Sequence, residues 1–159
     1  MKHKVPPPAL TVAELEAYLR DEFPQVFNAD SGVSIEDAWH GGARVRQAWR
    51  EAHIRPGGTI SGPTLMALAD FAMYVAVLGA IGPVSLAVTI NLNINFLRKP
   101  VASDLTAEAC LLKLGKRLAT GEVVIRCAGE EEPVAHATST YSIPPRPAVQ
   151  DDGTMEPSD

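Results

Sequence analysis

One carboxylate stands alone in the most apolar stretch of this 159-residue chain. From Pro63 to Ile81 the sequence reads PTLMALADFAMYVAVLGAI, and Asp70 is its only acid or base. Burying an unpaired charge is costly, so an acid kept there needs a partner or a task. Its candidate task is attack on an acyl carbon, either directly or by activating water as a general base. The residues just before it, Arg55-Pro56-Gly57-Gly58-Thr59-Ile60-Ser61-Gly62, form a Gly-rich approach to a helix start. Free N–H groups at a helix N-terminus stabilise negative charge that develops on a carbonyl oxygen. Gly62 suits that role because it lets a substrate approach the backbone closely. Ser61 is a candidate cap for the helix and a candidate catalytic hydroxyl. It sits outside a Gly-x-Ser-x-Gly elbow, so a serine-hydrolase reading is weak.

The spacing carries geometry. Asp70 lies eight residues beyond Gly62. Along a helix that is roughly 12 Å, at about 1.5 Å per residue. One small group cannot easily touch both on the same chain, so the spacing favours a site shared by two copies.

Other residue types narrow the chemistry. Arg55, Arg98-Lys99 and Lys116-Arg117 are local cationic positions able to hold a small anion. A net charge of −5 argues against a nucleic-acid partner. His3, His40, His53 and His136 show no ligand spacing, so no metal site is expected. Cys110 and Cys127 fall in strand-like stretches and read as free thiols in a reducing, cytoplasmic compartment. Segment 63–81 is long enough to raise a membrane span. Its mid-segment acid and flanking strand patterns argue against one.

These residues need elements to hold them. Residues 1–10, with Pro6-Pro7-Pro8, read as an extended tail, and 144–159 as a disordered acidic, Pro-rich tail. Between them, 11–143 read as one domain. Thr11 and Glu14 make a capping box for a helix over 11–23, which Pro24 stops. Leu15, Tyr18 and Leu19 are its apolar stripe. Residues 33–39 and 43–50 read as strands, with Arg44, Arg46 and Arg50 as a solvated face. The central helix spans 63–81, with Pro63 at its first position. It is apolar on nearly all sides and so should be enclosed. Strands follow at 85–97, 103–114, 118–128 and 134–143, which read as an antiparallel meander. In the first of them Val88, Ile90, Leu92, Ile94 and Phe96 share one face, and Thr89, Asn91, Asn93 and Asn95 the other. The fold class is α+β: a sheet curled around a helix.

The LAD helix (Leu68-Ala69-Asp70) after a Gly-rich loop, the strand Val88–Pro100, Ala107-Glu108-Ala109, Leu114–Leu118 and Val134–Tyr141 occur in this order. Together they resemble the hotdog-fold acyl-CoA thioesterases of the phenylacetic-acid-degradation type, over roughly residues 33–143. The resemblance implies an antiparallel sheet wrapped around a long helix. It implies a homodimer or dimer of dimers with interfacial sites, an acyl-CoA substrate and no cofactor beyond its coenzyme A. It matches the family's catalytic carboxylate to Asp70, its backbone donor to Gly62 and its water-placing hydroxyl to Thr89. Arg55, Gly58, Asn91, Arg98, Lys99, Lys116 and Arg117 are the candidate substrate-binding positions, the last four for coenzyme A phosphates. Relatives commonly carry His-Gly-Gly where this chain has Ser61-Gly62-Pro63, and an upstream Asn where it has Arg55. His40-Gly41-Gly42 lies too far upstream to replace the former. Two rivals follow: a non-catalytic acyl-CoA sensor or carrier, and a hydratase or dehydratase in which His53 or His136 joins Asp70.

Overall fold

A computed structural model describes residues 6–145. Of the expected tails at 1–10 and 144–159, residues 1–5 and 146–159 lie outside the described residues. Within them the element order is α1 (Val12–Glu22), β1 (Val33–Trp39), β2 (Gly42–Gln47), a short 3-10 turn (Glu51–His53), α2 (Gly62–Ile81), β3 (Val88–Phe96), β4 (Leu105–Leu114), β5 (Leu118–Cys127) and β6 (Pro133–Ser142). The expected hotdog arrangement is present, with a six-stranded antiparallel sheet packed around α2.

Both helices begin where their caps dictate. The Thr11 hydroxyl accepts from the Glu14 N–H, and the Glu14 carboxylate accepts from the Thr11 N–H at 2.7 Å. Leu15 and Leu19 are buried on the stripe that the spacing predicted. Ser61 caps α2 by accepting from the Thr64 N–H, and its Oγ lies 2.9 Å from the Thr64 hydroxyl. α2 opens at Gly62, one residue before the expected start, which leaves Pro63 at the second position. Residue 9 is anchored: the Ala9 N–H donates to the Gly79 carbonyl of α2 at 2.7 Å.

α2 packs chiefly on β2, β4 and β5. From Leu68 to Gly79 all but Asp70 are buried, and Val75, Ala76, Val77 and Leu78 are inaccessible. It is not enclosed along its whole length, as its composition suggested. Met66 and Ala67 are exposed in its first two turns, on the side that leads to Asp70. Close packing beneath the helix depends on Gly121 of β5: a Cβ there would stand 2.7 Å from the Cys110 carbonyl oxygen and 2.8 Å from the sulfur of Met73.

The strand order is β1-β2-β4-β5-β6-β3. The meander therefore covers β4, β5 and β6 only, and β3 sits on the far edge beside β6 instead of next to β4. Eight residues, 97–104, join β3 to β4. That is too long for a hairpin turn of about 2–5 residues, and it carries the chain across the sheet. Arg44 and Arg46 are solvated as expected, whereas Arg50, past the end of β2, has its Nε buried. The first two are also paired, Arg44 to Glu108 at 2.9 Å and Arg46 to Asp104 and Glu36 at 2.8 and 3.2 Å. His40-Gly41 is the two-residue turn between β1 and β2, with Gly41 at φ +79°.

β3 departs from simple alternation. Thr89 pairs with Tyr141, Asn91 with Thr140, and Ile90 is left over as a bulge. A bulge re-aims the side chain beside it. Leu92 and Ile94 keep the inner face and Asn91, Asn93 and Asn95 the outer, but Thr89 turns inward, away from the Asn row. The expected face of Thr89 is thus corrected by one extra residue.

Candidate functional site

α2 brings Asp70 to a cleft of about 440 Å³ against the start of β3 and the end of β6. Phe23 and Val26 from the end of α1, Phe71 and Tyr74 from α2, and Ala87, Val88 and Thr89 from the β3 side wall it. The cleft is mainly apolar, with Glu22 and Ser85 in its wall besides the polar cluster at Asp70.

Two hydroxyls converge on one carboxylate oxygen. Thr89 Oγ1 donates to Asp70 Oδ1 at 2.6 Å. The Tyr141 hydroxyl donates to the same Oδ1 at 2.7 Å and lies 2.9 Å from the Asp70 main-chain oxygen. Asp70 Oδ2 has no bonding partner among the described residues. The acid in the apolar helix is therefore half-buried and satisfied on one side only. Burial, with the Asp70 charge beside it, pushes the Tyr141 phenol well above its ordinary value, so the group stays a donor. Burial does the same to Tyr74, whose ring stacks on Tyr141 at 6.1 Å and 12°.

Gly62 stands at the other end of β3. A Cβ on Gly62 would meet the Phe96 ring at 3.3 Å. Its N–H bonds no acceptor among the described residues, while Pro63 has none to offer and the Thr64 N–H is held by Ser61. Thr89 and Phe96 are roughly 20 Å apart along the strand at about 3.3 Å per residue. Ser61 is engaged in capping, and within one chain Asp70 and Thr89 are brought together while Gly62 stands apart from them.

The remaining candidates scatter. Arg55 and Gly58 lie in an exposed turn closed by Arg55 N–H to Thr59 O and Gly58 N–H to Arg55 O. Asn91 is exposed on the outer face of the sheet. Arg98 is ion-paired with Glu132, and Lys99 follows it beyond the end of β3. Lys116 and Arg117 form the β4–β5 turn at the opposite end, lining a cavity of about 750 Å³ with Ile81, Leu114 and Ile143. The two cationic pairs therefore sit at opposite ends of the sheet. His136 donates to or accepts from Glu122 at 2.9 Å from the outer face, on the other side of the sheet from Asp70. His53 is pushed below its ordinary value by burial and by Arg50, and it lines a separate cavity with Pro63 and Thr64.

Tyr141 is the residue that reading the sequence missed. It lies 71 positions from Asp70, and a Tyr near a strand end carries no local mark of such a bond. Its inward place followed from β6 alternation, which buries Ala135, Ala137, Ser139 and Tyr141.

Comparison with known proteins agrees with the fold. The thioesterase superfamily model matches residues 57–134, from the loop before α2 to the start of β6. A candidate esterase of Saccharolobus solfataricus is 31% identical over 123 residues, covering 77% of this chain and 79% of that one. The crystal structure of a candidate thioesterase from a Silicibacter species is 44% identical, with a TM-score of 0.78, covering 87% of this chain and 94% of that one. A point mutant of the phenylacetic acid degradation protein PaaI from Thermus thermophilus is 30% identical, with a TM-score of 0.63, covering 70% of this chain and 93% of that one.

Proposed function

This chain belongs to the thioesterase superfamily, and from that premise we propose that it is an acyl-CoA thioesterase of the phenylacetic-acid-degradation type, which hydrolyses an acyl-CoA thioester at sites that two copies build together. One observation carries the reading: the carboxylate cluster and the free helix N–H lie at opposite ends of a single edge strand. If β3 pairs antiparallel with β3 of a second copy, the Phe96 end of one meets the Thr89 end of the other. A two-fold axis then makes two equal sites, each with Asp70 from one copy and Gly62 from its mate. The exposed apolar residues of this edge, Val88, Ile90, Phe96 and Leu97, suit burial there. The same pairing draws Arg98 and Lys99 of one copy toward Lys116 and Arg117 of the other, which suits the phosphates of coenzyme A. The free thiols Cys110 and Cys127 suit a reducing, cytoplasmic setting.

In the chemical step Asp70 Oδ2 acts as a general base. The Thr89 hydroxyl donates its one hydrogen bond to Oδ1, so toward water it acts only as an acceptor. A water that donates one hydrogen to Thr89 Oγ1 and the other to Asp70 Oδ2 aims a lone pair at the carbonyl carbon. Its proton passes to Oδ2 as the new C–O bond forms, and the carbonyl pair moves onto oxygen. The Gly62 N–H of the second copy stabilises that oxyanion. Collapse breaks the C–S bond, and the coenzyme A thiolate leaves with the proton from Asp70. The products are a carboxylic acid and free coenzyme A.

Free-thiol release from short, medium, long and aryl acyl-CoAs tests the activity, with Asp70→Asn expected to lose it. Asp70→Asn and Gly62→Pro homomers should both fall by about 10²–10³-fold, the latter because an oxyanion donor is gone. Mixing the two dead proteins then discriminates. A shared site regenerates one intact centre in each mixed dimer, for about a quarter of wild-type activity after random exchange of a two-fold dimer. Sites confined to one chain leave the mixture dead, which would overturn the shared-site reading. Tight binding of acyl-CoA by the wild type without turnover would instead make the protein a carrier or sensor.

A further inference from the structure

Resting on the thioesterase reading, we propose that Tyr141 is a positioning residue: its hydroxyl ties the Asp70 carboxylate to the main chain of its own helix, and so presents Oδ2 to the cleft. The phenol has one proton and two oxygens in reach, Asp70 Oδ1 at 2.7 Å and the Asp70 carbonyl at 2.9 Å. That is a three-centre bond bridging the side chain and backbone of one residue. An aspartate side chain has two torsions. Thr89, donating to the same Oδ1 at 2.6 Å, adds a second anchor from a different strand. With Oδ1 caught from β3 and β6 together, both torsions are set, and only Oδ2 remains for proton transfer.

The anchors are themselves fixed. Thr89 and Tyr141 are direct cross-strand partners, brought onto one face by the bulge at Ile90. Tyr141 is only 3% exposed and its ring lies flat against Tyr74. A tyrosine that served packing alone would need one acceptor for its buried hydroxyl, and the Asp70 carbonyl would suffice. The shorter contact goes to the carboxylate instead. Burial keeps the phenol protonated far into the alkaline range, so the anchor does not switch off where the enzyme would work.

Tyr141→Phe removes the hydroxyl and keeps the ring. The expected result is a kcat lower by about 10- to 100-fold, the scale of a misplacement of roughly 1 Å in a reacting group. KM and oligomer size should change less than about two-fold, because the group acts on the acid and not on bound substrate. Unchanged kcat in a folded Tyr141→Phe protein, with Asp70→Asn dead, overturns the positioning role and leaves the thioesterase reading standing. Turnover that survives Asp70→Asn overturns the general-base assignment and the positioning role but leaves the activity standing, whereas turnover missing from the whole acyl-CoA panel in the wild type overturns the thioesterase reading and the proposal with it. Should Tyr141→Phe misassemble, 4-fluorophenylalanine at 141 fills the space of the hydroxyl but donates no proton. Its kcat is expected to fall by the same factor of about 10- to 100-fold with KM little changed. A kcat equal to that of the wild type overturns the proposal.

Discussion

Asp70 has two oxygens in two environments, and the difference comes from two residues, Thr89 and Tyr141. Oδ1 receives two hydroxyl donors, while Oδ2 has no bonding partner among the described residues. The tyrosines around it also set a pH dependence of stability. Burial raises the phenols of Tyr141 and Tyr74 above their ordinary value of about 10. In the unfolded chain both ionise near that value, while the folded protein still holds both protons. The unfolded state then binds fewer protons, so stability falls as pH rises above about 10 and is fully present below it. Denaturant titrations at stepped pH should show the midpoint dropping on the alkaline side, and Tyr141→Phe should flatten the drop. A wild-type midpoint that stays level to about pH 12 would refute the buried-phenol account.

Element by element, what lay within a few residues of its cause was legible and what depended on distant partners was not. Thr11 with Glu14, and Ser61 before Pro63, announce their helices because a cap bonds the backbone three residues on. Every strand was located, because turn residues and alternation are local. The edge position of β3 was not read, although the length of 97–104 was the available signal. The bulge at Ile90 left no mark at all: an apolar residue between Thr89 and Asn91 continues the alternation, and only pairing with β6 reveals it as extra. For the site, the acid and the helix start were visible as a lone charge and a Gly-rich approach. Tyr141 was not, because its bond closes through the sheet. The interface between α2 and β5 gives the matching prediction. Gly121→Ala puts a methyl against the Cys110 carbonyl and Met73, and one of these contacts is unyielding backbone. Overpacking of that kind costs about 1–3 kcal/mol. A lower urea midpoint at unchanged m-value would report it, and an unchanged midpoint would mean that the helix can lift at no cost.

Taken whole, the molecule wraps its most apolar element with strands that come later in the chain. α2 ends at Ile81, but β4, β5 and β6 lie between Leu105 and Ser142. At synthesis rates of about 5–20 residues per second, the chain needs roughly 3–12 s to make the 61 residues from the helix end to the sheet end. For the first half of that interval, until Leu114 is made, β2 is the only complete one of its three main covers. A 20-residue helix long and apolar enough to cross a membrane, with one acid in its middle, is then a bare ligand for whatever binds apolar segments at the ribosome. Arrested chains with residue 90 just outside the ribosome should be cut by protease within α2, and those with residue 145 outside should be protected. Equal protection at both lengths would mean that α1, β1 and β2 suffice to cover it. The same late closure makes birth different from refolding: a full-length chain diluted from urea has every strand to hand, whereas a nascent one must wait for its cover to be translated.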